Sequence, residues 1–568
     1  MGKKESMVID GITVEINGEK NLLELIRKAG IELPTFCYYS ELSIYGACRM
    51  CIVENKWGGI ETACSTPPRG GMEIRTNTEQ IRKHRKMNME LLLANHCRDC
   101  TTCEKNGNCK LQELAIRYGI DRVRFENTAE KPQIDDSSLC ITRDSNKCIL
   151  CGDCVRVCSE VQNVGAIDFA YRGSKMSIST IFNQPIAQSD CVGCGQCSAV
   201  CPTGAIVVKS DRDRVWRELH NKNTKVIAQI APAVRVAINK EFGLSDKENA
   251  MGRIVAALRR MGFDSIFDTS TGADLTVLEE AAEFMKRLDE GENLPLFTSC
   301  CPAWVNYCEK NYPELLSHIS TCRSPMQMFG SVIKEQFKTS GKKIVHVAVM
   351  PCTAKKFEAA RDEFKNNGVL MVDYVVTTQE LIKMIKEAGI VFVDLEPEAV
   401  DMPFGSMTGA GVIFGVTGGV TEAVIRRIAT DKSPGTLSSI SFSGVRGMEG
   451  LKEATIPYGE RELKIAIVSG LKNADDLLQS IKAGQHYDFV EVMACPGGCI
   501  SGAGQPFTSL KGRENRGKGL YSADKLCSIK RSEENPLMMT LYKGLLKGKI
   551  HELLHVDYQP GKVEGNND

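Results

Sequence analysis

The chain has 568 residues, of which 42% are hydrophobic and 25% charged, a mixture typical of folded globular domains and not of disordered, collagen-like or coiled-coil proteins. Lys and Arg together number 71, as do Asp and Glu, so the formal charge is zero and neither nucleic acid nor a membrane is an expected partner. The absence of a long apolar run or signal segment predicts a cytoplasmic location. Cysteine is unusually frequent, with 25 copies, and an odd number favours metal ligation over disulfides.

The first predicted unit, residues 1–80, combines two strands with a helix. Residues 7–16 alternate around Asp10-Gly11, and residues 21–29 have helical spacing that Gly30 ends. Four cysteines of this unit suit a two-iron, two-sulfur (2Fe-2S) cluster. They are Cys37, Cys48, Cys51 and Cys64. A structural zinc ion held by the same four thiolates is the alternative.

The second predicted unit, residues 81–137, places a ligand-rich loop between helices at 80–94 and 111–117. The loop contains His96, Cys100, Cys103 and Cys109. These suit a four-iron, four-sulfur (4Fe-4S) cluster, and an imidazole in place of one thiolate would make the cluster less negative and easier to reduce. Three thiolates and one imidazole suit zinc as well, so the sequence leaves both metals open.

The third predicted unit, residues 138–210, contains two copies of the spacing C-x2-C-x2-C-x3-C. This spacing is typical of two-cluster ferredoxins, in which the fourth cysteine of each run binds the other cluster. It predicts one 4Fe-4S cluster on Cys148, Cys151, Cys154 and Cys201. A second 4Fe-4S cluster is predicted on Cys158, Cys191, Cys194 and Cys197.

The remainder, residues 211–568, alternates predicted strands with predicted helices. The strands are expected at 226–231, 344–350, 370–376 and 463–468, and the helices at 251–261, 275–288, 378–388 and 419–429. This alternation indicates an α/β architecture with mainly parallel sheets, and the length suggests two lobes. Active sites of such folds lie in loops that leave the ends of strands.

Three loops of this last unit concentrate cysteines in turns rich in Pro and Gly, at residues 298–304, 350–356 and 491–499. Their five cysteines are enough for a further 4Fe-4S cluster with one thiolate to spare. Buried free thiols at strand ends are the alternative. A Gly-rich run at 411–419 looks like a phosphate loop, but it lacks the Gly-Lys-Ser/Thr ending, so we expect no nucleotide there.

Together the three loops resemble the signature segments of the iron-only (FeFe) hydrogenases, in the same order. The N-terminal spacings resemble the form of that family with four accessory clusters, so the resemblance covers essentially the whole chain. It implies a catalytic H-cluster, in which a 4Fe-4S cubane is joined through Cys499 to a two-iron unit with CO, cyanide and azadithiolate ligands. The implied cubane ligands are Cys301, Cys352, Cys495 and Cys499.

The resemblance also implies roles for residues around the H-cluster. Cys300 corresponds to the proton-transfer thiol of the family, and Lys355 to a residue that hydrogen-bonds a cyanide ligand. The walls of the di-iron pocket are implied to be Met350, Met493 and Phe414.

A proton relay is implied to lead from the surface to Cys300. Its other members are Arg287, Glu283, Ser320 and Glu280. Three of these share one face of the predicted helix 275–288, which Thr276 and Glu279 would begin with a capping box. Without the resemblance, such a face would be interpreted as a solvated charge stripe.

The implied fold class is a multidomain α+β and α/β protein. It has a plant-type ferredoxin-like (β-grasp) module, a small His/Cys cluster module, a bacterial two-cluster ferredoxin module and a two-lobed α/β catalytic domain. The implied cofactors are one 2Fe-2S cluster, three accessory 4Fe-4S clusters and the H-cluster. The implied function is reversible reduction of protons to dihydrogen with electrons from ferredoxin, after maturation proteins have inserted the di-iron unit.

Two other functions are compatible with parts of the sequence. A non-catalytic electron-transfer subunit would explain the first 210 residues, but it would give no reason for Cys352 or for the 495–499 loop. A hydrogenase-like sensor or cluster-assembly protein would explain the cubane ligands, but not Cys300 together with Glu280 and Glu283.

Overall fold

The computed structural model describes residues 5–126, 132–245, 248–429, 445–459 and 461–558. Three small units precede a larger region built around two four-stranded sheets. This architecture confirms the predicted fold class. Among the described residues, no helix is both long and apolar enough to cross a membrane.

The first unit is a five-stranded mixed sheet covered by one helix. The strands lie in the order Ile12–Glu15, Ser6–Ile9, Glu73–Arg75, Ile52–Asn55 and Ile60–Thr62. The predicted hairpin is confirmed, with positive φ at both Asp10 and Gly11. The helix Leu22–Lys28 begins after Asn21, whose side chain accepts a hydrogen bond from the Glu24 N–H, and it buries its leucines against the sheet.

The next two units are small and are organised around loops. Helices Glu79–Ala94 and Lys110–Arg117 flank the second cysteine-rich loop, as predicted. Residues 138–210 contain two two-stranded sheets and two short α-helices. The strand pairs are Ile141–Arg143 with Ile206–Val208 and Asp168–Ala170 with Ser177–Ser179, and the helices are Asp153–Arg156 and Gln196–Val200.

The first lobe contains a parallel sheet with the strand order Ser265–Asp268, Thr224–Ile230, Lys343–Met350 and Tyr374–Thr377. Its strands are almost continuously buried because helices cover both faces. The helices of this lobe are Arg212–Leu219, Val234–Ala237, Met251–Arg260, Pro325–Gln336, Ala354–Ala360 and Thr378–Glu387.

The predicted strand 370–376 is wrong as a single element. Residues Val369–Leu370 pair with Lys365–Asn366 in a separate small hairpin, and only Tyr374–Thr377 joins the main sheet. Asp373 lies between them, and its carboxylate accepts hydrogen bonds from the His346 N–H at 2.7 Å and from a lysine ammonium. The Asp373 carboxylate therefore accepts a hydrogen bond that a backbone carbonyl of a continuous strand would otherwise accept.

The second lobe contains a sheet with the order Leu296–Phe297, Phe489–Met493, Arg461–Ser469 and Leu451–Tyr458. The first three strands are parallel, and the fourth is an antiparallel edge. Further helices among the described residues are Pro302–Asn311, Gly409–Val412, Gly419–Ile428, Leu471–Lys482, Leu510–Leu526, Pro536–Lys543 and Ile550–Leu554.

One long helix, Ser270–Glu290, packs against Pro325–Gln336 and also against Gly419–Ile428. It begins five residues before the predicted start at 275, so the predicted capping box is wrong. The Thr276 hydroxyl donates instead to the carbonyl of Gly272 inside the helix, at 3.1 Å. A Cβ at Gly272 would come within 2.3 Å of the Pro325 carbonyl oxygen, so glycine permits the close approach of these two helices.

Candidate metal centres and proton relay

The four cysteines of the first unit are buried and lie together. The backbone N–H of Cys48 points at the sulfur of Cys37 at 3.4 Å, and a hydrogen bond from Cys37 lowers the pKa of Cys48 to about 6. Cys51 acts in the same way on Cys64, whose pKa is lowered. Closely spaced thiols, one of which stabilises the thiolate of the other in each pair, are a suitable donor set for an iron cluster or zinc.

The loop of the second unit presents a buried imidazole nitrogen that has no hydrogen-bond partner among the described residues. This atom is Nε2 of His96, whose Nδ1 accepts a hydrogen bond from the Arg98 N–H at 3.0 Å. His96, Cys100 and Cys109 line one cavity of about 360 Å³, and the sulfur of Cys103 lies beside Gly204. Burial lowers the pKa of His96 and so favours the neutral imidazole that a metal requires.

The third unit brings its two cysteine runs together across the sequence. A single cavity is lined by Cys148, Cys151, Cys154 and Cys201. The other four thiols also lie close enough to affect one another's ionisation. Burial raises the pKa of Cys197, and the charges of Cys191 and Cys158 raise it further. The grouping therefore combines three thiols of one run with the fourth of the other, as the ferredoxin spacing predicts.

The three loops of the large region meet where strands of the two sheets end. Cys352 follows Lys343–Met350, Cys495 follows Phe489–Met493, and Cys301 lies beyond Leu296–Phe297. The Ala494 N–H points at the sulfur of Cys301 at 3.4 Å. Burial raises the pKa of Cys495, and the charges of Cys352, Cys301 and Cys499 raise it further, so these four thiols share one site.

The third unit lies directly against this site. The Gln196 side chain donates to the sulfur of Cys495 at 3.1 Å, and the Thr353 hydroxyl donates to the carbonyl of Gly193 at 2.9 Å. A Cβ at Gly195 would come within 2.3 Å of the Thr353 hydroxyl, so only glycine permits this contact. Sequence reasoning missed Gln196, since no spacing rule marks a glutamine between two cysteine ligands.

The three residues predicted to line the di-iron pocket lie in two different buried clusters. Met493 and Phe414 belong to one buried cluster, against which Cys300 and Cys499 pack. Met350 is buried in the core of the first lobe, at the end of the strand that leads to Cys352.

Lys355 is buried in the site with an acidic partner that sequence reasoning missed. Its ammonium donates to the Cys300 carbonyl at 3.2 Å and to the Glu358 carboxylate at 2.7 Å. Burial disfavours the charged ammonium, but the charge and hydrogen bond of Glu358 outweigh it and raise the pKa of Lys355. A protonated ammonium is therefore held in the first turn of helix Ala354–Ala360, three residues after Cys352.

The predicted relay residues form a connected group at the long helix. Arg287 donates to the Glu283 carboxylate at 2.5 Å, and the Ser320 hydroxyl donates to its other oxygen at 2.9 Å. Side-chain exposure is only 11% for Arg287 and 12% for Glu283. A solvated charge stripe is therefore excluded as the explanation of this face.

Glu280 lies one turn further along the helix and is fully buried, with no hydrogen-bond partner for either oxygen among the described residues. Burial raises its pKa to about 8, and the charge of Glu283 contributes, while Ser320 and the Ser299 backbone act in the opposite direction. The Glu280 charge also raises the pKa of the already buried Cys300 thiol. The raised pKa favours the protonated carboxyl group at neutral pH, and the group lies near both Ser320 and Cys300.

Backbone N–H groups at the end of the Gly-rich run bind a carboxylate of the protein itself. Glu491 accepts hydrogen bonds from the Gly418 N–H at 2.6 Å and the Thr421 N–H at 2.8 Å, at the start of helix Gly419–Ile428. These are the donors that a phosphate group would need. The run consequently serves to tie this helix to strand Phe489–Met493.

Family models match five consecutive parts of the chain. The model "iron only hydrogenase large subunit, C-terminal domain" matches residues 224–503, and "iron hydrogenase small subunit" matches 510–561. Upstream, a 2Fe-2S cluster binding domain matches 4–79, the NADH-ubiquinone oxidoreductase-G iron-sulfur binding region matches 85–124, and a 4Fe-4S dicluster domain matches 147–205.

Similar proteins extend over nearly the whole chain. The NADP-reducing hydrogenase subunit HndD of Solidesulfovibrio fructosivorans is 40% identical over 97% of this chain and 98% of its own length. Iron hydrogenase 1 of Clostridium pasteurianum is 36% identical over 98% of this chain and 100% of its own. A structure of a variant FeFe-hydrogenase HydA1 from Chlamydomonas reinhardtii has a TM-score of 0.55 at 37% identity, covering 62% of this chain and 100% of that one.

The fold and the site define an iron-sulfur oxidoreductase with a buried catalytic centre. The chain belongs to the iron-only (FeFe) hydrogenase family. It is an enzyme that interconverts protons and dihydrogen through an iron-sulfur electron relay, which confirms the predicted function. The two alternative functions, a non-catalytic electron-transfer subunit and a sensor or cluster-assembly protein, are not favoured.

Proposed function

We propose that Cys301, Cys352, Cys495 and Cys499 hold the H-cluster and that Cys300 exchanges protons with it. The observation that carries the proposal is the convergence of these four thiols beside Cys300, where the buried acid Glu280 also lies. When bound, the H-cluster, with its CO, cyanide and azadithiolate ligands, supplies the two-electron chemistry that joins protons to make dihydrogen.

The side chains around the four thiols would bind and shield this group. The Lys355 ammonium offers a hydrogen-bond donor to a cyanide ligand, because Glu358 keeps it charged inside the protein. Met350, Met493 and Phe414 would provide apolar, polarisable walls that exclude water. Matured protein should show CO and cyanide bands in the infrared and evolve dihydrogen with a reduced dye, and the absence of both after proper maturation would contradict the proposal.

Protons would reach Cys300 through side chains that can both accept and donate them. In the proposed order, Arg287 holds Glu283 in place at the outer end, and Glu283 exchanges a proton with Ser320. Ser320 then exchanges with Glu280, and Glu280 with the Cys300 thiol. The support for this order is the burial of Glu280 and its proximity to both neighbours, since Ser320 lowers the pKa of Glu280 and Glu280 raises the pKa of Cys300.

Electrons would reach the H-cluster through the third unit. We propose one 2Fe-2S cluster in the first unit and three accessory 4Fe-4S clusters on the remaining ligands, with His96 among them. The first and second units both contact the third. Arg156 of the third unit donates to the Cys37 carbonyl of the first at 3.1 Å, and the Lys110 N–H of the second unit donates to the Pro202 carbonyl of the third at 3.2 Å. Gln196 completes the path by its contact with Cys495.

The boundaries at residues 80, 137 and 210 are proposed as limits of the four structural units. We propose ferredoxin or a similar redox protein as electron donor, and maturation proteins for insertion of the di-iron unit. The name of the NADP-reducing relative makes a partner subunit that reduces NADP the alternative. We also propose a cytoplasmic location, because the odd number of cysteines favours metal ligation over disulfides.

The proposed ligand sets predict the metal content. Fully matured protein should contain about 20 iron atoms per chain, from one 2Fe-2S cluster, three accessory 4Fe-4S clusters and six irons at the H-cluster. Elemental analysis measures this directly. Iron near about 16 together with one zinc per chain would mean that the His96 site binds zinc.

A second prediction concerns Gln196. Its hydrogen bond to the Cys495 sulfur stabilises the more negative, reduced state of the cubane, so Gln196→Leu should lower the cubane reduction potential. A bond of about 1 kcal/mol corresponds to roughly 40 mV for one electron. Redox titration with spectroscopic detection would measure the shift. Gln188→Leu, an exposed position in the same unit, is the control, and equal potentials for both variants would contradict the assigned role.

A further inference from the structure

We propose that the Arg143 guanidinium is a cation shared by the two 4Fe-4S sites of the third unit, where it raises the reduction potential of both clusters. Arg143 ends the strand Ile141–Arg143, and its side chain is only 9% exposed. It is neither a cluster ligand nor a member of the proton relay. The inference rests on the proposed clusters of this unit and concerns how readily each of them accepts an electron.

Arg143 forms part of the wall of one of the two sites. It lines the cavity that is also lined by the cysteines of that site, Cys148, Cys151, Cys154 and Cys201. Burial raises the pKa of the Cys148 thiol to about 11, and the charge of Arg143 acts in the opposite direction. A positive charge that favours a thiolate at this position also favours the more negative, reduced state of a cluster bound there.

The same guanidinium acts on the second site. Burial raises the pKa of Cys191, and the charges of Lys310 and Arg143 oppose this rise. The Lys310 ammonium donates to the carbonyls of Ser189 and Cys191, both at 3.1 Å, but this lysine is exposed and water screens part of its charge. Arg143 is therefore a buried cation that acts on a ligand of each site.

Hydrogen bonds hold the guanidinium in its position. It donates to the Ile178 carbonyl at 3.0 Å and to the Asp135 carboxylate at 3.4 Å. The same oxygen of Asp135 accepts a hydrogen bond from the Ile186 N–H at 2.9 Å, in the segment that leads to Cys191. The position of the charge is therefore set by the fold of the third unit and not by a free side-chain conformation.

The charge of Asp135 does not cancel that of Arg143. Asp135 raises the pKa of Cys191, but its effect is smaller than the opposite effect of Arg143. The Asp135 side chain is 21% exposed, so water screens its carboxylate more than it screens the guanidinium. The site of Cys191 consequently retains a net positive influence from this pair.

The other site also has an acidic neighbour. Asp153 is buried, and its charge raises the pKa of Cys151 and of Cys154 after the larger effect of burial. Its carboxylate is paired with Arg156, which reduces its field at the cluster site. Each site therefore contains an acid that opposes Arg143, and each of these acids is itself paired with an arginine.

The functional consequence is easier filling of the electron path. Reduction adds one negative charge to a cluster, and a cation in the weakly screened interior stabilises that charge more than a cation in water would. With Arg143 in place, a donor of given strength would reduce both clusters more completely. Electrons would then be available beside the four thiols of the proposed H-cluster.

The test is a redox titration of the matured holoenzyme, with electron paramagnetic resonance as the measure of each reduced cluster. The two clusters of the third unit are identified by the magnetic interaction between neighbouring reduced clusters. In Arg143→Gln, we expect the ratio of reduced to oxidised cluster at a fixed applied potential to fall about tenfold at both clusters. For one electron this is a shift of about 59 mV to lower potential.

Two further variants serve as controls for this titration. Arg143→Lys keeps the positive charge and should retain most of the wild-type potential at both clusters. Arg172→Gln makes the same change of residue type at an exposed position of the same unit, and it should leave both potentials unaltered.

A variant with the opposite expected sign separates charge from damage to the fold. Asp135→Asn keeps a hydrogen-bond acceptor for the Ile186 N–H but removes the negative charge that opposes Arg143. The cluster on Cys191 should therefore become easier to reduce. If Arg143→Gln loses iron, this variant and Arg143→Lys still decide the question.

The possible results have distinct meanings. Lower potentials at both clusters in Arg143→Gln, but not in Arg143→Lys, would support the shared cation, as would a higher potential in Asp135→Asn. A shift at one cluster alone, equal shifts in Arg143→Gln and Arg143→Lys, or a lower potential in Asp135→Asn would overturn it. Wild-type protein that lacks the roughly eight irons of this unit would instead contradict the proposed clusters themselves.

Discussion

Cys300→Ala is expected to reduce hydrogen turnover by about 10²- to 10⁴-fold, the usual range for loss of a group that transfers a proton in the rate-determining step. Alanine removes the thiol but leaves a small side chain in the same packed position beside Phe414 and Met493. Iron content and the CO and cyanide infrared bands should therefore be retained. The measurement is dihydrogen evolution with reduced methyl viologen, together with elemental analysis and infrared spectra.

The matched control is Cys308→Ala. Cys308 is also a buried thiol, on the helix that follows Cys301, but it packs against Tyr312 and lies outside the relay. Its replacement should leave turnover within a few-fold of the wild-type value. Loss of cubane iron in Cys300→Ala would show that Cys300, and not Cys301, is the cluster ligand.

Glu280→Gln is the second substitution for which we expect a large effect, a fall in turnover of about 10²-fold or more. Glutamine has nearly the same shape and remains compatible with the buried position, but its amide cannot release and regain a proton at the rate a carboxyl can. Because burial raises the pKa of Glu280 to about 8, the carboxyl is protonated at neutral pH and acts first as a donor to Cys300. Glu280→Gln should retain all metal and both infrared signatures.

The raised pKa also predicts a pH effect with a defined sign. Proton supply through Glu280 should weaken as the pH rises through about 8, since the group then loses the proton it donates. The residual activity of Glu280→Gln should lack this decline. Glu290→Gln, an exposed position on the same helix, is the control and should keep both the rate and the pH profile of the wild-type protein. A similar loss in both variants would indicate a disturbed helix instead of a broken relay.

The accessory cluster ligands could be predicted from the sequence because most of them are neighbours along the chain. In the third unit, each run supplies three cysteines within seven residues, so the ligand set depends on a turn and little on the rest of the fold. The structure groups Cys201 with the first run, in agreement with the spacing. For His96, spacing alone left iron and zinc open, and the structure adds the unpartnered Nε2.

The proton relay could not be predicted from the local sequence pattern alone. The helix spacing of Glu280, Glu283 and Arg287 is also that of an ordinary surface stripe, and only the resemblance to the hydrogenases indicated a path. What makes these side chains different is burial, which depends on the packing of Ser270–Glu290 against helices of both lobes. The same packing explains the wrong capping box, because the buried first turn of the helix extends to Ser270.

The sequence by itself therefore determined the family and the order of the units, because both follow from short cysteine spacings and from segments whose whole pattern matches. Only the tertiary structure decided which common residues act on the metal centres and the relay. Gln196 and Glu358 are of this kind. Their significance arises from contacts between distant segments and from loss of water, and neither leaves a periodic pattern in the chain.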